Sequence, residues 1–145
     1  MAVIDSIRSF FGLSPKYETT AYGTVKKAVL AALKRGGVKV GHGAGYPRVE
    51  VHSITEGERL DKEGQLREMT FTVEAISDRS EAECSTLNED NLRILTSAEL
   101  NLGNDWQCIR IIPVQLQDQT EVSDTDSVLY RLLQSYRLII YKIKS

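Results

Sequence analysis

Histidine and cysteine are scarce in this chain, two of each, and that scarcity excludes much catalytic chemistry. His42 and His52 form no HExxH motif and stand at no carboxylate spacing that suggests a metal. Cys84 and Cys108 match no CxxC or metal-ligand pattern, and they read as free thiols in a reducing compartment. A nucleophilic Cys84 would need a histidine and an orienting group nearby. It falls instead on an expected helix with neither close in sequence, which points to a structural thiol. There is no GxSxG elbow and no aromatic RNA-recognition signature. The expectation is a protein with no catalytic residues, no metal and no cofactor: not an enzyme.

Charge of one sign is also lacking. Eighteen basic residues face twenty acidic ones, for a net charge of −2. A dedicated nucleic-acid binder carries a basic excess or stripe. The nearest candidate, Lys26, Lys27, Lys34, Arg35 and Lys39, reads as the solvated face of one helix and its exit. Long apolar runs are absent, and none approaches the ~20 residues of a membrane span. Asp5 and Arg8 interrupt the apolar start, unlike a secretion signal. The composition is otherwise ordinary, 41% hydrophobic and 26% charged, and 145 residues fit one domain. A domain of that size buries roughly 68–70% of its unfolded surface without disulfides or metals.

What is present is clear periodicity. Val3, Ile4, Ile7, Phe10 and Phe11 predict a short amphipathic helix over 3–11, ended by Gly12 and Pro15. It reads as a docked arm or a core helix. A second helix starts near Thr19 or Thr20, either of which can cap it. Tyr22, Val25, Ala28, Val29, Ala32 and Leu33 form its stripe, and Gly36 and Gly37 stop it. Gly41, Gly43 and Gly45 lack the strand-before, helix-after context of a phosphate cradle and read as a flexible connection.

Strands are expected over 48–54, with Val49 and Val51 opposite Glu50 and His52, and over 66–76, where Met69, Phe71, Val73 and Ala75 alternate with Thr70, Thr72 and Glu74. The charged link 55–65 makes a long hairpin tip. A helix follows to about Ser97, with Asp78 or Ser80 as its cap and Leu87, Asn91, Ile94, Leu95 and Ala98 on its stripe. A strand over 106–116 contains Pro113, which marks an edge or a bulge. An acidic loop over 117–127 precedes a closing strand from about Leu132 to Lys144. Both faces of that strand are apolar, which asks for a covering partner or helix. The order predicts an α+β fold: an antiparallel sheet of about four strands with helices mainly on one face. Residues 1–18 form an N-terminal helical arm and 19–145 a single α+β domain.

The pattern resembles the tail-completion, or tail-terminator, proteins of long-tailed bacteriophages and related prophages. The likeness spans about residues 20–144. It rests on the helix Thr20 to Arg35 followed by glycine and Tyr46-Pro-Arg-Val-Glu-Val. It rests equally on the strand Arg67-Glu-Met-Thr-Phe-Thr-Val-Glu-Ala-Ile-Ser, the helix Arg79 to Ser97 behind it, and the acidic loop before Ser135-Tyr-Arg-Leu-Ile-Ile-Tyr-Lys-Ile. The N-terminal helix 3–11 is not a feature that maps onto the family.

The resemblance implies a virion protein assembled in the host cytoplasm as a homo-oligomer, usually a hexameric ring. The ring caps the tail tube protein, presents a docking face to the head–tail connector protein, and lets DNA through its lumen without specific binding or membrane contact. Another connector or adaptor, a tube protein, and a small cytosolic enzyme or ligand-binding domain stand as alternatives. Glu58, Arg59, Asp61 and Lys62 in the charged hairpin are expected at subunit or connector contacts, where mixed charges fix register. Asp118, Glu121, Asp124 and Asp126 are expected at the lumen or the tube-facing rim, because carboxylates without basic partners are costly to bury.

Overall fold

The computed structural model describes residues 21–41, 43, 45–63, 65–97 and 99–143. The expected arm 1–18 and the cap candidates Thr19 and Thr20 lie outside them, as does His42.

Helix α1 spans Tyr22–Arg35 and buries Val25, Ala28, Val29, Ala32 and Leu33. Ala21 precedes it without a side-chain cap. Tyr22, expected on the buried stripe, is 46% exposed, and Ala21 takes the inward position one residue earlier. Lys34 and Arg35 sit in the last turn, at the negative end of the helix dipole. The chain leaves through Gly37, whose φ of 86° an L side chain rarely adopts.

Strand β1, Arg48–Arg59, pairs antiparallel with β2, Leu66–Ser77. The strand thus runs well into the segment expected as a loop, and only a tight turn remains. Register shifts after His52 and after Glu56, and a φ of 55° at Ser53, break its alternation. That irregularity is why periodicity ended the strand early. Helix α2, Glu81–Ser97, follows; the Glu83 N–H donates to Ser80 Oγ at 3.0 Å, so Ser80 is the cap.

Strand β3 is Trp106–Asp118, β4 is Glu121–Val122 and β5 is Val128–Lys142. The sheet is five-stranded, ordered β1-β2-β5-β3 with the short β4 beside β5, and every pairing is antiparallel. Strand β3 is an edge, as Pro113 implied, with register shifts between Cys108 and Arg110 and between Pro113 and Gln115.

The closing strand turns out to be central, flanked by β2 and β3. That position pairs both of its edges, and the helices cover one of its two apolar faces. Tyr136, Leu138 and Ile140 are buried beneath the helices. Arg137, Ile139 and Tyr141 on the other face are half-buried among neighbouring strands.

Both helices pack on the face built from Val49, Met69, Phe71, Val73, Tyr136, Leu138 and Ile140. Phe71 and Tyr136 are cross-strand neighbours and stack with ring centroids 5.1 Å apart. The result is an α+β fold with one helix-covered face and one open face.

Candidate functional site

The open face is a lattice of ion pairs. Arg48 pairs with Glu50 along the same strand at 3.2 Å, and Arg137 on β5 pairs across to Glu68 on β2 at 2.6 Å. At its centre lies Glu74, only 4% exposed. Its carboxylate accepts hydrogen bonds from Arg131 Nε and from His52 Nε2, the latter at 2.8 Å. Arg131 also reaches Glu121 on β4, so the network ties the base of the acidic hairpin to β1. Burial alone would raise the Glu74 pKa. The hydrogen bonds from Arg131 and His52 outweigh it and hold the carboxyl below its ordinary value. His52 therefore takes part in this network through its hydrogen bonds to Glu74 and Ser53.

Cys84 is fully buried, its thiol donating to the Ala75 carbonyl at 3.2 Å. Burial pushes its pKa up, and the same holds for Cys108, so neither thiol is activated. Among the described residues, no group of three or more His, Cys, Asp or Glu side chains could hold a metal ion.

The two charged groups singled out in the sequence are not brought together. Arg59 ends strand β1, and Glu58 lies on the same strand. Asp61 Oδ1 accepts from the Leu66 N–H at 3.2 Å, which makes it a turn-former, and Lys62 is exposed beside it. This turn lies at the end of the sheet where Leu66 pairs with Tyr141. Asp118, paired with Leu132, stands at the opposite end of the sheet, and Glu121, Asp124 and Asp126 lie past the Ser77–Tyr130 pair there. The expected acidic loop is itself a small hairpin, with Glu121 and Val122 paired to Leu129 and Val128. Its turn is held by the Ser123 N–H donating to the Ser127 carbonyl at 2.9 Å.

Strand β3 carries exposed apolar side chains along its edge, within the run Ile109, Ile111, Ile112 and Val114 that Pro113 interrupts. Ile109, Val114 and Leu116 are more than half exposed, and Val122 on β4 is 68% exposed. Ile109 and Val114 fall at the two register shifts, where an extra residue is left unpaired. The sequence signal was the apolar alternation together with Pro113, which marks an edge or a bulge but not which side chains the irregularity turns outward. Val114→Lys is expected to change stability by no more than about 0.5 kcal/mol, as for other surface changes. Equilibrium denaturation checks this, and a larger loss would mean that Val114 is packed.

The molecule thus defined is an α+β domain whose distinctive features are surfaces and a polar lattice. No protein-family model and no curated protein matches the chain. Its fold is similar to a solved chain from the "virion of native gene transfer agent (GTA) particle". The TM-score is 0.68 at 17% identity, over 86% of this chain and 99% of that one. At that identity, the likeness establishes the fold.

Proposed function

We propose that this chain is a structural virion protein of the phage neck. It caps the tail tube as a homo-oligomeric ring, usually of six copies, and offers a surface for head joining while DNA passes through the lumen. The observation that carries this reading is the fold likeness to a virion chain, which takes in 99% of that chain. The order of elements, which resembles the tail-terminator family, points the same way. The β3 edge supports it too. Exposed apolar edges are normally covered, and contacts between copies can do that. The work is mechanical, since it consists of stopping tube growth and joining two preformed parts.

Electron microscopy of the purified chain added to growing tail tubes tests the reading. Rings at tube ends, arrested growth and restored head joining are expected. Polymerisation of the chain into long tubes of its own would favour a tube protein. A monomer or dimer without effect on tubes would remove the virion reading.

Catalysis is not required, so Cys84→Ala is expected to keep full tail joining while costing about 1 kcal/mol of stability, as core truncations of this size do. A folded Cys84→Ala protein that joins no tails would sink the non-enzymatic account.

A further inference from the structure

We propose that the groove between α1 and the turn 101–106 is the seat for the acidic hairpin tip of a second copy of this chain. The inference deepens the ring reading above and rests on it. The groove has a volume of about 450 Å³, and its lining includes Lys27, Ala31, Arg35, Asn101, Asp105 and Trp106. Lys26 and Lys34 are exposed on the same helix, whose sequence contains no acidic residue. Among the described residues, no ion pair engages Lys26, Lys27, Lys34 or Arg35. Asp105 is the one carboxylate in the lining. The helix C-terminus adds partial negative charge, but these side chains leave the flank cationic.

The occupant follows from charge and shape. The sequence has no Lys or Arg between Arg110 and Arg131, and that stretch carries Asp118, Glu121, Asp124 and Asp126. Arg131 pairs with Glu121 and leaves the other three carboxylates without an ion pair among the described residues. The hairpin is narrow, and Val122 gives it an apolar flank to set against the exposed Ala31.

Geometry makes the contact intermolecular. The groove borders Trp106, which pairs with Lys142 at one end of the sheet. The tip lies beyond Tyr130 at the other end. Strands of this length separate the ends by roughly 40 Å, at about 3.3 Å per residue. The tip of one copy therefore meets the groove of the next. This head-to-tail contact uses two different surfaces and closes into a ring when its rotation permits. Apolar contact holds the seat, and the charges set register and rate.

The test is light scattering on the full chain, alone and with tail tubes. The groove variant is Lys27→Glu with Arg35→Glu. The tip variant is Asp124→Lys with Asp126→Asn, since asparagine tolerates the φ of 62° at Asp126. Each variant alone is expected to assemble at least about tenfold more weakly than the wild type, and mixing the two restores assembly because each then finds an opposite charge. Wild-type assembly also weakens as salt rises from about 0.05 to about 0.5 M. If both variants assemble as well as the wild type, the seat is elsewhere and the ring reading stands. If both weaken but mixing restores nothing, the pairing of tip with groove is wrong. A wild type that stays monomeric at every concentration, tubes included, overturns the ring reading itself.

Discussion

Replacing Glu74 with alanine lowers the free energy of unfolding by about 3 kcal/mol, the lower end of the range for removing one partner of a buried ion pair. The lower end applies because Arg131 keeps Glu121 and its side chain is 27% exposed, so it is not stranded in a dry interior. His52, at 39% side-chain exposure, can also return to water. The cost comes instead from two hydrogen bonds to a charged acceptor lost together. Glu50 lies directly across β1 from Glu74 but is engaged by Arg48, so its repulsion offers little relief on deletion.

The pH dependence separates this account from a simple loss of packing. The Glu74 carboxyl is held below its ordinary value of 4.5. A group whose folded pKa is depressed stabilises the protein above its unfolded pKa and loses that contribution as pH falls through the folded one. Wild-type stability should thus decline below about pH 4.5 more steeply than that of Glu74→Ala. Urea denaturation at pH 7 and at intervals down to pH 3 measures both curves. Parallel acid limbs would show that the carboxylate charge contributes nothing and that the loss is steric.

The parts of this fold legible in the sequence were those whose burial obeys one period. Helix α1 announced itself because Val25, Ala28, Val29, Ala32 and Leu33 follow the 3.6-residue repeat. Strand β2 did so through strict alternation over Arg67–Val73. Strand β1 was cut short because Ser53 and the irregularity at Gly57 break that rule, and because an edge strand can be polar on both faces. The position of β5 was not legible at all. Two apolar faces describe a central strand and a strand awaiting a partner equally well, and only pairing distinguishes them. The same limit hid the functional surfaces. Charge lists identified both loops, but only register shows that Asp61 and Asp124 stand at opposite ends of the sheet.

Asn91→Leu raises stability by about 1–3 kcal/mol, the cost of a buried polar side chain left without partners. The inward stripe of α2 is Cys84, Asn88, Asn91 and Leu95, half of it amide. Asn91 is completely buried, and neither its Oδ1 nor its Nδ2 has a hydrogen-bond partner. Asn88 Oδ1 and the Tyr136 hydroxyl share that condition. The two asparagines lie on the buried face of α2 and Tyr136 on the helix-covered face of the sheet, where a polar group is desolvated with nothing returned. Leucine has similar volume and a better helix propensity, so the exchange removes that penalty without opening a cavity. Tyr136→Phe is the companion change. It deletes only the unpartnered hydroxyl and keeps the stack on Phe71, so it should be neutral or mildly stabilising. Guanidinium denaturation with unchanged m-values reads both effects. A loss of more than about 1 kcal/mol in Asn91→Leu would mean that the amide is satisfied through buried water or that the γ-branched side chain overpacks the layer. Tyr136→Phe reads the hydroxyl by itself: a loss of stability there means that the hydroxyl is satisfied, whatever the outcome at position 91.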